Sequence, residues 1–204
     1  MEFFHLDLES LVKTAGSIGL VAIVFAESGL FFGFFLPGDS LLFTAGLLAS
    51  QGYLHIWSLA IFIPLAAIFG DNVGYWFGKK VGPKIFVKSD SFFFHEKHVA
   101  RSAAFFAKYG PKAIVIARFV PVVRTFVPIL AGVGTMNYSI FIKYNIIGGV
   151  IWGGGFILLG YFLGEIFPQI EDYMFYVIGL IIASSFIPVC VEYMKSRSLT
   201  HREK

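Results

Sequence analysis

The sequence predicts an all-α polytopic membrane protein, formed by an inverted repeat of two Pro-broken re-entrant hairpins, each followed by a transmembrane helix, plus a C-terminal transmembrane helix. Three observations predict this class. Hydrophobic residues make up 57% of the 204 positions and charged residues only 14%, whereas a soluble domain carries about 25% charged residues. The apolar residues form long runs, and about 20 such residues let a helix cross the hydrocarbon core. Proline and glycine interrupt two of these runs. The composition therefore argues against a soluble enzyme.

We treat residues 1–204 as a single membrane domain. Residues 1–16 carry acids ahead of the first apolar run and lack the basic start of a signal peptide, so we expect a retained interfacial segment. Residues 17–52 contain two apolar runs separated by Pro37 and Gly38, which cannot continue a helix interior. These residues predict the first re-entrant hairpin. The first run is also long enough to be a full span, and that alternative stays open.

The middle of the chain combines one long apolar run with a basic connection. Residues 54–78 predict a transmembrane helix. Residues 79–111 predict a basic cytoplasmic loop, in which 92–108 carry apolar residues beside charged ones, as an interfacial amphipathic helix does. A role for this helix in attracting anionic head groups is the alternative to a plain connector.

The next apolar run, residues 112–137, predicts the second re-entrant hairpin. It contains Arg118, Pro121, Arg124 and Pro128. A straight helix would place both arginines in lipid at a cost of several kcal/mol. We therefore predict a break near Pro121, after which the chain returns to the side that it entered from.

An internal repeat relates the two hairpin-helix units. The aromatic-glycine pattern at 74–78 recurs at 160–164. The Ala45-Gly46 pair recurs as Ala131-Gly132, the same number of residues further along the chain. Each unit would be a Pro-broken hairpin followed by one long helix.

The charges around the long helices predict their direction. Lysines at 79–88 follow the first long helix, whereas acids at 165–172 follow the second one, predicted over 139–164. By the positive-inside rule the first helix ends in the cytoplasm and the second outside. The two units are then inverted, as in many transporters. A last transmembrane helix over 172–194 and a basic tail over 195–204 predict a cytoplasmic C-terminus.

Four charged residues lie within the predicted hairpins: Glu27 and Asp39 in the first, Arg118 and Arg124 in the second. Ionisable groups inside a membrane indicate a functional site by default, because each needs a partner or water. The break at Pro121 could let both arginines reach one cavity. Arginine forks suit a phosphate, and carboxylates can carry a proton. The alternative is a set of structural salt bridges that join the hairpins.

Three further polar residues lie in the long helices. Asp71 could pair with an arginine, line the cavity or be hydrated near its helix end. For Asn145 and Trp152 we expect structural roles, because an isolated Asn often bonds a neighbouring helix and Trp often packs.

Several other chemistries lack a signal in the sequence. The net charge of +3 reflects basic residues between apolar spans, which indicates membrane topology and no nucleic-acid partner. The single cysteine, Cys190, excludes an intramolecular disulfide and a Cys-based metal site. His95-Glu96-Lys97-His98 has too few residues between its histidines for a zinc protease. We therefore expect neither an enzyme nor a cofactor or metal. An aspartyl protease using Asp39 and Asp71 is a remote alternative.

Six motifs, taken together, resemble the DedA family over residues 17–164. The motifs are Phe25-Ala26-Glu27-Ser28, Phe35-Leu36-Pro37-Gly38-Asp39-Ser40, Ala45-Gly46, Gly70-Asp71-Asn72-Val73-Gly74-Tyr75, Arg118-Phe119-Val120-Pro121-Val122-Val123-Arg124-Thr125-Phe126 and Ala131-Gly132. Each is weak alone, whereas their order and spacing are fairly specific.

The resemblance implies a multi-pass protein of the prokaryotic inner membrane, with two opposed re-entrant hairpins and a relationship to eukaryotic VTT-domain lipid scramblases. It implies a flippase that returns undecaprenyl phosphate, a polyprenyl phosphate carrier lipid, to the cytoplasmic leaflet with use of the H⁺ or Na⁺ gradient. The family's acids carry over onto Glu27 and Asp39 for proton coupling, and its arginines onto Arg118 and Arg124 for substrate binding. The expected supporting residues are Pro37, Gly38, Asp71, Tyr75, Pro121 and Gly132.

The remaining function hypotheses are a proton-coupled exporter of small cations and a scramblase that organises membrane lipids. The sequence leaves open the coupling ion, the exact lipid and whether the chain forms a homodimer.

Overall fold

The computed structural model describes residues 8–29, 38–85, 106 and 109–167, and this part of the chain is helical with short connecting turns. The helices are α1 (Leu8–Gly29), α2 (Gly38–Ser50), α3 (Ile56–Ile85), α4 (Ala113–Ala117), α5 (Pro121–Val133) and α6 (Tyr138–Ile166). The ranges predicted as the last helix (172–194), as the tail (195–204) and, apart from residue 106, as the interfacial helix (92–108) lie outside the described residues.

Two of these helices, α3 and α6, are long and apolar enough to cross a membrane, over Ile56–Val81 and Tyr138–Ile166. Both carry large apolar side chains on their outer faces; Phe69, for example, is 61% exposed and Phe162 is 55% exposed. Such surfaces suit contact with lipid tails rather than water. The structure therefore agrees with a helical membrane protein and with the two long helices that the sequence predicts.

Of the other helices, α2, α4 and α5 are shorter than the membrane is thick, and a kink divides α1. Helices α2 and α5 have 13 residues each, which at 1.5 Å per residue is about 20 Å, against about 30 Å of hydrocarbon. Helix α1 has 22 residues but bends at Gly16, whose φ of 59° and ψ of −172° are not helical. A positive φ of this kind is available to glycine without steric strain.

The chain is interrupted at the predicted position between α4 and α5. Val120 is extended, with φ −121° and ψ 106°, and α5 starts at the next residue, Pro121. A proline disfavours the helical conformation in the residue before it and is well tolerated in the first turn of a helix. Arg118 and Arg124 consequently lie on opposite sides of a helix break.

The short helices pack in a crossed arrangement. Helix α1 packs on α3 and α4 on the first half of α6, so the first arm of each unit contacts its own long helix. In contrast, α2 packs on the second half of α6 and α5 packs on α3. The second arm of each unit therefore contacts the long helix of the other unit, which interlocks the two halves.

Glycines let these crossed pairs approach to backbone contact. A Cβ atom on Gly46 would overlap the backbone of α6 at Ile157, and a Cβ atom on Gly132 would overlap the backbone of α3 at Tyr75. Gly46 also lies against the backbone of Tyr161. Since the sequence repeat aligns Gly46 with Gly132 and Tyr161 with Tyr75, the two contacts are equivalent positions of the repeat.

Candidate functional site

The structure buries five charged residues among the helices that it describes. They are Glu27, Asp39, Asp71, Arg118 and Arg124, none more than 7% exposed. These residues form two groups with different partners. We call them the Arg124 cluster (Glu27, Asp39, Arg124 and Trp152) and the Arg118 cluster (Asp71, Arg118 and Asn145).

In the Arg124 cluster, one guanidinium is held by two carboxylates from different helices. Arg124 Nη1 on α5 donates to Asp39 Oδ1 on α2 at 2.8 Å, and Nη2 forms an ion pair with Glu27 Oε1 on α1. Helix α6 contributes Trp152, whose Nε1 donates to the same Asp39 oxygen at 2.8 Å. The Arg124 cluster therefore joins four helices, two from each unit of the repeat.

The first residue of α2 explains how Glu27 is held. The backbone N–H of Gly38 donates to Glu27 Oε1 at 3.2 Å, so the end of α1 meets the start of α2. A Cβ atom on Gly38 would overlap the Glu27 carboxyl group. The start of a helix carries a partial positive charge, which stabilises this carboxylate and that of Asp39 in the first turn.

In the Arg118 cluster, one arginine has one acid and one amide as partners. Arg118 Nη2 donates to Asp71 Oδ2 and to Asn145 Oδ1, both at 2.5 Å. The Asn145 amide in turn donates to the backbone oxygen of Ile68 at 3.1 Å. Gly148 leaves the space that the Arg118 side chain occupies. The Arg118 cluster thus fastens the end of α4 to α3 and α6.

The two arginines bind different acids in this structure. The break before Pro121 separates their helices, and Asp71 on α3 is the acid that meets Arg118. Of the three environments considered for Asp71, pairing with an arginine is the one found. The sequence identifies the charged residues but not how they pair.

Two residues for which the sequence favoured structural roles, Asn145 and Trp152, belong to the clusters. Both are buried, with Asn145 0% and Trp152 1% exposed, and both hydrogen-bond to a charged side chain. The available signal was a polar group in a glycine-rich part of an otherwise apolar helix. That signal does not identify the hydrogen-bond partner, because the partner depends on which helices pack against each other.

Some buried polar atoms in this part of the molecule have no partner among the described residues. They are Glu27 Oε2, Thr44 Oγ1 and the Nε atoms of Arg118 and Arg124. A buried polar atom without a hydrogen bond costs about 1–3 kcal/mol. Within the part of the chain that the structure describes, both clusters thus contain donors or acceptors that a ligand or water could bind.

The charges of the two clusters differ. The Arg124 cluster contains two acids and one base, whereas the Arg118 cluster contains one of each. Binding of a single proton would neutralise the Arg124 cluster. A buried net charge is costly in an apolar surrounding, so this cluster is the better candidate for proton binding.

The other predicted supporting residues lie at the crossing of α3 and α5. The Tyr75 hydroxyl donates to the backbone oxygen of Met136 at 2.5 Å, and its ring stacks on Phe141 with centroids 4.5 Å apart. Gly132 packs against the Tyr75 backbone. These residues shape the helix crossing and do not join either cluster. Pro37 lies outside the described residues, and Pro121 begins α5.

The geometry also bears on the alternative chemistries. Asp39 and Asp71 bind different arginines, so they do not form the carboxyl pair that an aspartyl protease needs. Within the described ranges, no group of three or more His, Cys, Asp or Glu side chains could hold a metal ion.

Comparisons with known proteins identify the family of this chain. A family model described as the VTT domain matches residues 36–162. An uncharacterized membrane protein of Mycobacterium leprae is 42% identical over 188 residues, which cover 92% of this chain and 84% of the relative. Protein DedA of Escherichia coli is 40% identical over 185 residues, 90% of this chain and 84% of its own length.

A more distant relative is the inner membrane protein YqjA of Escherichia coli, 34% identical over 155 residues that cover 75% of this chain and 70% of that protein. No solved structure matches the chain. The family match covers more than half of the chain and includes both arginines, Asp39 and Asp71. The chain therefore belongs to the DedA family of VTT-domain membrane proteins.

Proposed function

We propose that this protein is a flippase for a polyprenyl phosphate, undecaprenyl phosphate, between the leaflets of the inner membrane, coupled to the proton or sodium gradient. The observation that carries the proposal is the Arg124 cluster, in which two carboxylates from separate helices occupy a buried guanidinium. This arrangement offers a phosphate site that protons can open.

A phosphate head group needs such a site to pass about 30 Å of hydrocarbon. Its hydration must be replaced by hydrogen-bond donors and its charge must be cancelled. Arginine supplies a rigid fork of donors that matches phosphate. In the structure, Asp39 and Glu27 occupy the two terminal nitrogens of Arg124. Protonation of these acids would weaken their hold and free the fork for phosphate.

This competition accounts for coupling in physical terms. A proton on either acid neutralises the Arg124 cluster, and protons on both acids leave Arg124 with an unbalanced positive charge. A phosphate monoanion then balances that charge. Lipid phosphate and protons would thus occupy the Arg124 cluster together, which makes movement of one depend on the other.

We assign Arg118 to the same lipid path as a second phosphate-binding group. It is buried and paired one-to-one with Asp71, and its Nε has no partner among the described residues. Its position beside the helix break gives it a separate acid from that of Arg124. Two such groups would divide the crossing into shorter steps.

We also propose that α1 with α2 and α4 with α5 are two re-entrant hairpins that enter from opposite sides, with the C-terminus in the cytoplasm. One support is the length of α2 and α5, about 20 Å each. The other is the contact of Glu27 with Gly38, which joins the end of α1 to the start of α2. Both units would then bring their charged residues to the membrane interior.

The cation-exporter hypothesis has less support. An exporter of cations needs carboxylates that face an open cavity, with the arginines paired elsewhere. Here Glu27 is 0% exposed and both acids of the Arg124 cluster bind Arg124 itself. A lipid scramblase would share the phosphate chemistry but would move lipid without regard to the proton gradient.

The proposal is tested with purified protein in liposomes that contain a labelled polyprenyl phosphate and carry an imposed pH or sodium gradient. We expect the protein to accelerate flipping and the gradient to bias its direction. Glu27→Gln and Asp39→Asn should retain expression and lose the pH dependence. Glu165→Gln, an exposed acid at the end of α6, is the matched control. Unchanged flipping with and without the protein would reject the function.

A further inference from the structure

Trp152 lies in an irregular part of the long helix α6. Residues Val150–Gly154 form a π-helical turn, and Trp152 within it is 1% exposed. A π-helical turn inserts an extra residue into a helix, is rare, and is frequent at functional sites. The extra residue rotates the part of α6 after the turn relative to the part before it, and so sets which side chains face the neighbouring helices.

The Trp152 side chain touches both members of an ion pair. Its Nε1 donates to Asp39 Oδ1 at 2.8 Å, and the centroid of its ring lies 5.0 Å from the guanidinium carbon of Arg124. The N–H favours the charged form of the carboxyl group, and the ring face attracts the cation. Asp39 Oδ1 thus accepts from both Trp152 and Arg124.

The π-helical turn also separates two halves of α6 that have different neighbours. The half before the turn carries Asn145 of the Arg118 cluster and contacts α3 and α4. The half after it packs on α2, where Gly160 lies against the backbone of Phe43. The turn itself packs on α3, with Gly153 beside Pro64. The π-helical turn therefore lies between Asn145 of the Arg118 cluster and the half of α6 that packs on α2, and it carries Trp152 into the Arg124 cluster.

We propose that Trp152 is a positioning residue that holds Asp39 on Arg124, and that it sets the pH at which this acid releases the arginine. The proposal rests on the proton-coupled function proposed above. A proton on Asp39 weakens the hydrogen bonds that Oδ1 accepts from Arg124 and Trp152, so the surroundings of the Trp152 ring change when the acid is protonated. Arg124 on α5 forms an ion pair with Asp39, and Glu27 on α1 binds the same guanidinium.

The first test is the pH profile of lipid flipping by Trp152→Phe, which keeps an aromatic ring and removes the N–H. Loss of a donor to the carboxylate makes protonation easier, so we expect the profile to move by about one pH unit to higher pH. Trp57→Phe is the matched control, since Trp57 is 68% exposed. A rate that falls equally at every pH, with no shift, would show a merely structural role and overturn the proposal.

A second test does not depend on transport. The chain has three tryptophans, so Trp57→Phe with Trp76→Phe leaves Trp152 as the sole tryptophan. We expect its fluorescence emission to change with pH in this background, and the change to disappear on adding Asp39→Asn. Emission that does not respond to pH, in a protein whose flipping does, would overturn the role of Trp152 and leave the flippase intact. A pH-dependent emission without flipping would instead reject the proposed function.

Discussion

At the scale of single residues, the central feature is the way in which buried charges share partners. Arg124 forms ion pairs with two acids and Arg118 with one, so the same substitution at the two arginines leaves different numbers of acids unpaired. Removing one member of a buried ion pair leaves a charge without compensation, which is more costly than removing both members. Comparing variants that remove one member of an ion pair with variants that remove all members therefore distinguishes a structural salt bridge from a phosphate site.

The first prediction uses lysine, which retains the charge of arginine and loses its fork of donors. Arg124→Lys and Arg118→Lys should fold, because each lysine can still pair with an acid. Flipping of labelled polyprenyl phosphate should fall about tenfold or more, since each variant loses charge-assisted hydrogen bonds to phosphate. Lys112→Arg at an exposed position is the control and should leave the rate unchanged. Full activity of the lysine variants would favour a structural salt bridge.

The second prediction concerns removal of all the charges of one cluster. Arg118→Gln with Asp71→Asn, and Arg124→Gln with Glu27→Gln and Asp39→Asn, leave no unpaired buried charge. We expect these variants to fold better than Arg118→Gln or Arg124→Gln alone, as thermal unfolding in detergent will measure. They should nevertheless fail to flip the lipid. Recovery of flipping by either combination would contradict the phosphate site.

The third prediction concerns Gly38, where the Glu27 carboxyl group occupies the position of a side chain. Gly38→Ala should force this carboxyl group away and weaken its ion pair with Arg124. We expect a loss of about 1–3 kcal/mol in stability, typical of overpacking. Gly155→Ala is the control, because a Cβ atom there has open space. Equal unfolding temperatures for the two variants would be inconsistent with the contact described here.

The residue scale also shows where sequence reasoning succeeds. Charged residues in apolar runs are visible in the sequence, and Glu27, Asp39, Arg118 and Arg124 are all found buried. Their pairing is not visible, because Asp71 reaches Arg118 only through the packing of α4 beside α3 and α6. Spacing along one helix carries no information about which helices cross.

At the scale of elements, the short helices are held by backbone contacts at glycine. Helix α2 meets α6 at Gly46, and helix α5 meets α3 at Gly132. Association of helices in a membrane depends on such close packing, since the lipid is as apolar as the side chains. Glycine here serves packing as well as turns.

The fourth prediction follows from these contacts. Gly46→Val or Gly132→Val should separate the crossed helices, because even a Cβ atom would overlap the partner backbone. The expected cost is about 1–3 kcal/mol or more, seen as a lower unfolding temperature and reduced yield of folded protein. The exposed Gly155→Ala should raise the helix stability by about 1 kcal/mol or less. Stable valine variants would exclude the crossed packing.

Element boundaries show which features composition can predict. The first long helix was expected over 54–78 and is found at Ile56–Ile85, since Lys79 and Lys80 continue the helix beyond its apolar part. The second was expected over 139–164 and is found at Tyr138–Ile166. The π-helical turn at Val150–Gly154 has no signature in hydropathy, because it depends on the neighbours of α6.

At the scale of the whole molecule, the two units of the sequence repeat pack by exchanging their second short helices, α2 and α5. Each second arm packs on the long helix of the other half, and the Arg124 cluster collects side chains from both. A movement of the helices in either unit would therefore alter the contacts of the Arg124 cluster.

The fifth prediction tests the inverted arrangement with single cysteines in a Cys190→Ser background. Cysteines at Lys112 and Ser139, which flank the second hairpin, should be labelled from the cytoplasm. Cysteines at Gln51 and Glu165 should be labelled from the opposite side. All four positions are exposed. Labelling of Lys112→Cys and Ser139→Cys from opposite sides would mean that α4 and α5 cross the membrane and are not re-entrant.

The most direct test of the central claim is proton movement that accompanies the lipid. Protein is placed in sodium-free liposomes that contain a trapped pH indicator, and polyprenyl phosphate is added outside. We expect a change of internal pH that requires both the protein and the lipid, and that is lost in the Glu27→Gln, Asp39→Asn double variant. Glu165→Gln should behave as wild type. Flipping of the lipid by wild-type protein without any proton movement, or an undiminished proton signal in the double variant, would contradict it.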